Sequence, residues 1–183
     1  MRKVLIDRLA LLDRKSARLF SILCQLTYSV EVNNGRLYYI PLYLRDNILV
    51  ELVKNDATSF SEDQAIEYQN IFVDDLDSDC QLANLESELD ILQEIGLINV
   101  SNDGDEGDIY NANNSTFYFR VGSEEVGHLS LFDEEQKVYF VCTGNITYTK
   151  MGLDLYQSLK AVYPSYSGLR ALLKAYIHLQ ENR

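Results

Sequence analysis

The sequence predicts an α+β chain, mostly helical, with one small antiparallel sheet. Three stretches carry that expectation. In LANLESELDILQEIGLINV (82–100), Leu82, Leu85, Leu89 and Leu92 recur at steps of three and four. That spacing lines one face of an α-helix, and Ile91 and Ile95 widen the stripe. Gly96 stands where a helix C-cap needs φ > 0, with Leu97 placed to fold back onto Leu92 and Leu97-Ile98-x-Val100 reading as a short strand. Second, SVEVNNGRLYYI sets Asn34-Gly35 between two β-prone runs, a type I′ hairpin signal that Pro41 closes. Third, IYNANNSTFYFRV (109–121) and KVYFVC (137–142) read as strands joined through 122–136, with a short third strand at His128–Phe132 and a last one at Ile146–Thr149.

The remaining elements are helical. KVLIDRLALL (3–12) places Leu5, Leu9 and Leu12 on one face. Asp13 is an N-cap for a second helix to about Thr27, with Ala17, Phe20, Leu23, Cys24 and Thr27 inward. Its basic residues Arg14, Lys15 and Arg18 occupy the first turn, the unfavourable end of the dipole, which suggests that they meet an acidic surface. DNILVELVK (46–54) reads as a short helix. Ser61 with Gln64 forms a capping box that opens a helix over 62–73, and Ser78 with Gln81 repeats the pattern. Thr149 caps a helix to about Val162, with Leu153, Tyr156 and Leu159 inward and Pro164 behind it. The last helix, from Gly168 to about Gln180, buries Leu169, Leu172, Leu173, Tyr176 and Leu179. No repeat or low-complexity linker divides the chain, so 1–183 reads as one domain: a helical N-terminal region (1–80), a helix-and-strand region (81–163) and a C-terminal helix (164–183).

Charge is the second message. The net charge of −12 is unevenly placed. Residues 1–50 hold 8 basic and 4 acidic side chains, 51–108 hold 1 basic (Lys54) and 17 acidic, and 109–183 hold 7 of each. The middle third therefore carries a concentrated negative field that repels phosphate backbones and attracts basic partners. No apolar run approaches the ~20 residues needed to span a bilayer. Asp7 and Arg8 interrupt any signal-peptide core, so a cytoplasmic location is expected. The odd, widely spaced Cys24, Cys80 and Cys142 read as free thiols, and the Asn113, Asn114 and Asn145 glycosylation patterns as accidental.

Candidate chemistry is sparse. With Asp75 as position 1 of a calcium loop, Asp77, Asp79 and Glu86 fall at positions 3, 5 and 12. Cys80 replaces the glycine that the sharp turn requires and Ala83 holds position 9, so dipole-favoured capping explains the aspartates better. The loop Asp103–Asp108 reads as a solvated acidic turn. His128 and His178, without cysteine or carboxylate neighbours at ligand spacing, suggest neither zinc nor acid–base catalysis. No phosphate loop, nucleophile elbow or HExxH pattern is present. A non-enzyme without cofactor or metal is the expectation. The 13 tyrosines line core rims and sheet edges, with some available to an interface.

LESELDILQEIGLI (85–98), followed by ITYTKMGLDLY (146–156), resembles the helix, wing strands and threonine-x-x-glycine-x-x-leucine close of winged-helix domains. Preceded by Asp13, Ala17, Leu19 and Phe20 in LLDRKSARLF, the set is similar to the C-terminal domains of bacterial Abi-alpha-type proteins, linked by name to abortive infection. The resemblance spans about residues 9–160. It implies a winged-helix-like core over 81–163 and a bacterial or phage setting, and carries over no catalytic residue.

A winged helix invites a DNA-reading interpretation, but the helix in the reading position carries Glu86, Glu88, Asp90 and Glu94, and no lysine or arginine lies between Lys54 and Arg120. Phosphate neutralisation builds most protein–DNA affinity, so direct duplex binding is not expected. The expected site is an acidic face of Asp74, Asp75, Asp77, Asp79, Glu86, Glu88, Asp90 and Glu94 that docks a basic protein partner, with phage defence as the implied setting. The alternative is a phage-encoded inhibitor whose carboxylates imitate nucleic-acid phosphates and block a nuclease or defence complex. A second apolar row on the last helix (Leu173, Ile177) suggests a homodimer through that helix.

Overall fold

A computed structural model describes residues 10, 12–32, 35, 37–43, 46–54, 61–73, 82–100, 115–131 and 146–181; for 46–48, 72–73, 82–88, 115, 131 and 180–181 it describes the backbone alone. The expected helix at 3–12, the acidic connector 74–79, the turn 101–108 and the strand 137–142 lie outside these residues, apart from Ala10 and Leu12. Among the described residues are six helices: α1 (Arg14–Gln25), α2 (Asp46–Lys54), α3 (Glu62–Val73), α4 (Leu82–Ile95), α5 (Lys150–Leu159) and α6 (Leu169–Glu181). The strands are β1 (Thr27–Val32), β2 (Leu37–Pro41), β3 (Ile98–Val100), β4 (Ser115–Val121), β5 (Glu124–Leu131) and β6 (Ile146–Tyr148). This is the mixed α+β architecture that the sequence predicts.

The strands form two antiparallel sheets, one in the order β2-β1-β4-β5 and one of β3 with β6. β1 is central, and Thr27 through Val30 are buried on both faces. Alternation sends Tyr28, Val30, Val32, Phe117 and Phe119 into the core. α6 covers that face, and a Cβ at Gly127 would sit 3.2 Å from the Ile177 side chain. The opposite face is polar toward β5: Glu31 pairs with Arg120 at 3.0 Å and Thr116 hydrogen-bonds Ser130 at 3.2 Å.

Several elements form as their local chemistry dictates. The Asp13 carboxylate accepts from the Ser16 N–H at 2.7 Å, and that bond holds its pKa below the ordinary value. At α3 the Gln64 side chain accepts from the Ser61 N–H at 2.8 Å and the Ser61 hydroxyl accepts from the Gln64 N–H at 3.4 Å, a reciprocal capping box. α4 ends in a Schellman motif: Gly96 has φ 81°, its N–H donates to Gln93 O at 2.8 Å, and the Leu97 N–H donates to Leu92 O at 2.9 Å.

Other expectations are corrected. Ala17 is exposed, while Ser16 is buried with Leu19, Phe20, Leu23 and Cys24, so the inner face of α1 is rotated from the one the sequence predicts. Thr27 belongs to β1; its hydroxyl donates to Leu23 O at 2.6 Å, a bond that closes the helix. The hairpin after β1 forms, but Glu31 pairs with Leu37, centring the connection on position 34. A two-residue I′ turn cannot satisfy that register; Gly35 (φ 75°) instead donates to Val32 O at 2.7 Å.

β4 turns directly into β5 through Gly122 (φ 65°) and Ser123, so the strand predicted at 128–132 begins at Glu124. α5 stops at Leu159, and Leu155 is buried with Tyr156 while Leu153 is half-buried. On α6, Leu173 and Ile177 are buried along with the first row. The second apolar row that suggested a dimer is used inside the chain.

Candidate functional site

The acidic helix is positioned by a joint between two distant motifs. Thr149 donates its N–H to Leu97 O at 3.1 Å and its hydroxyl to Gly96 O at 2.6 Å, while the same hydroxyl accepts from the Gly152 N–H at 3.1 Å. One threonine therefore caps α5 and ties it to the end of α4. Gly152 lies so close that a Cβ would overlap the Leu97 carbonyl oxygen and stand 2.8 Å from the carbonyl carbon. Only glycine admits that approach.

From the joint, β6 reaches α1. Tyr148 stacks on Tyr156 at 5.5 Å, meets Phe20 edge-on at 5.9 Å, and its hydroxyl lies 2.8 Å from the Thr27 hydroxyl. Since Thr27 spends its proton on Leu23 O, Tyr148 is the donor. Tyr39 joins from β2, 5.5 Å from Tyr156. Burial pushes the Cys24 thiol and the Tyr156 phenol up to about 12, and Tyr148 well above its ordinary value. A thiol held in that state is a core group, not a nucleophile.

α4 packs against α1, and its inner residues Leu89, Leu92 and Ile95 are buried. Asp90 and Glu94 face solvent, one helical turn apart. Glu86 and Glu88 lie within α4, where the backbone alone is described, and Asp74, Asp75, Asp77 and Asp79 lie outside the described residues. The structure thus brings two of the eight predicted carboxylates, Asp90 and Glu94, to the surface of one helix.

Other carboxylates of the acidic 51–108 stretch, beyond the eight named residues, join them. Glu51 on α2 and Glu62, Asp63 and Glu67 on α3 are exposed as well. The signal for them was the single basic residue, Lys54, over the whole of 51–108 rather than any motif. Glu67 hydrogen-bonds Tyr166, whose phenol is raised to about 12 by burial and by that carboxylate. α3 and α4 both pack on α1, whose Arg14 and Lys15 are exposed and whose Arg18 is half-buried.

Among the described residues no three His, Cys, Asp or Glu side chains converge as a metal site, and no helix is long and apolar enough to cross a membrane. His128 lies 3.9 Å from Glu125 on the solvated sheet face, and its ring is 6.1 Å from that of Tyr118. No family model, curated protein or solved structure matches the chain.

Proposed function

We propose that this chain is a non-catalytic interaction module whose acidic helical surface docks a basic protein partner, in the bacterial or phage setting that the family resemblance implies. One observation carries the reading: exposed carboxylates on three helices, in a third of the chain with 17 acidic residues and a single lysine. Like charges at i,i+4, as at Asp90 and Glu94, oppose helix formation by roughly 0.2–0.5 kcal/mol per pair, and an oppositely charged partner relieves that cost. The same field repels duplex DNA.

Fluorescence anisotropy with labelled polylysine, titrated with salt, tests the proposal. Affinity falling steeply between about 50 and 300 mM salt supports electrostatic docking. No binding, or affinity indifferent to salt, contradicts it. Displacement of a bound basic nuclease by competitor DNA is the outcome that would instead favour a nucleic-acid mimic.

A further inference from the structure

We infer that the partner of this acidic surface is a basic amphipathic segment, with apolar side chains beside its lysines or arginines, seated on the outer faces of α2 and α3. The inference rests on the acidic-docking reading and narrows its partner. Four large apolar side chains are exposed among the described residues: Leu37, Val50, Ile66 and Val162. Two of them, Val50 and Ile66, each 48% exposed, lie on α2 and α3, consecutive helices that pack on one another inside the acidic third.

Neither is called for by the core. α3 buries Ala65 and Tyr68, and the Tyr68 hydroxyl donates to Leu42 O at 3.1 Å. Positions 62, 63, 66 and 70 share the opposite side, so Ile66 stands among Glu62, Asp63 and Asn70, all exposed. On α2, Leu49 and Leu52 are buried while Val50 and Glu51 face water. A ligand with positive charge alone satisfies the carboxylates and leaves Ile66 and Val50 wet. An anionic ligand is repelled. A segment that presents cations and aliphatic groups together matches both, the helix-on-helix mode in which apolar anchors sit inside a charged rim.

The test uses the full chain and two labelled peptides of equal length and charge, one with lysine and leucine at helical spacing, the other with serine in the leucine positions. Covering the exposed half of each anchor corresponds to about five-fold in affinity. The lysine–leucine peptide should therefore bind roughly 25-fold tighter than the lysine–serine peptide at ~150 mM salt. Ile66→Ser and Val50→Ser should each remove about five-fold from its affinity and leave the salt slope unchanged. Both residues are on the surface, so the fold survives. Leu37→Ser and Val162→Ser, at exposed apolar sites outside the acidic third, should change nothing.

Equal affinity for the two peptides overturns this inference while leaving acidic docking in place, as does an effect of Val162→Ser as large as that of Ile66→Ser. Binding of neither peptide overturns both.

Discussion

Gly152→Ala separates local helix physics from the joint that holds α4 to α5. On helix propensity alone, alanine within α5 stabilises by about 1 kcal/mol over glycine. The joint predicts the opposite sign. The new Cβ would overlap the Leu97 carbonyl oxygen and stand 2.8 Å from its carbon, where an unstrained contact is about 3.5–4.0 Å. Relieving it requires a shift of about 1 Å between α5 and the Gly96–Leu97 turn. That shift stretches the Thr149 bonds to Leu97 O (3.1 Å) and Gly96 O (2.6 Å) to or beyond hydrogen-bond range. Two bonds at about 1 kcal/mol each, plus about 1–3 kcal/mol of overpacking strain and less the propensity gain of about 1 kcal/mol, leave a net loss of about 2–4 kcal/mol. For a chain of this size that is roughly 4–16 °C in Tm. Thermal and urea unfolding followed by circular dichroism measure it. A variant as stable as the parent, or more stable, refutes the joint.

Three further outcomes follow from the same structure. Thr149→Val, similar in shape but without the hydroxyl, should cost about 1–2 kcal/mol in urea unfolding, since the α5 cap and the bond to Gly96 O are lost together. Asp13→Ala should cost about 1 kcal/mol at neutral pH while Asp13→Asn costs less. Because the folded Asp13 pKa is lowered, its contribution is present above the ordinary value of 3.8 and fades as pH falls through the folded value, so parent and Asp13→Ala should converge in stability in acid. At the alkaline end the raised Tyr148, Tyr156 and Cys24 act the other way. Their stabilisation is complete below the ordinary phenol and thiol values of 10.0 and 9.0 and is lost as pH rises toward about 12, so unfolding should set in across that window, with tyrosinate absorbance at the same midpoint as loss of helix.

Helix ends were the most legible feature of the sequence. Asp13, the Ser61/Gln64 box, Gly96 and the Thr149 cap on Gly152 each satisfy backbone groups within a few residues, whereas the Thr149 bond to Gly96 O, 53 residues away, was not legible. The sheet was harder to read. EEVGHLSL holds a single β-branched residue, Val126, and β5 exists because β4 pairs with it and Ile177 packs on Gly127. The rotation of α1 turns on Ser16, a polar residue buried at 0% exposure, which hydropathy alone assigns outward.

The second apolar row of α6 is spent inside the chain. A helix covering a sheet and packed against α2 needs two apolar rows, and sequence spacing cannot distinguish that from a dimer seam. The acidic surface was legible as a charge distribution. Its further carboxylates on α2 and α3 required knowing which faces those helices bury.

The most direct test of the central claim is a paired binding measurement on the parent and on the variant Glu86→Lys/Glu88→Lys/Asp90→Lys/Glu94→Lys. Fluorescence anisotropy at ~150 mM salt, with labelled polylysine and a labelled DNA duplex, reports both sides of the electrostatic balance. The parent should bind polylysine and leave the duplex free. The variant, with the buried Leu89 and Leu92 untouched, should keep its circular dichroism spectrum, bind polylysine more weakly through the carboxylates left on α2 and α3, and gain weak, salt-sensitive duplex binding. Tight duplex binding by the parent, or polylysine binding unchanged in the variant, would contradict the account.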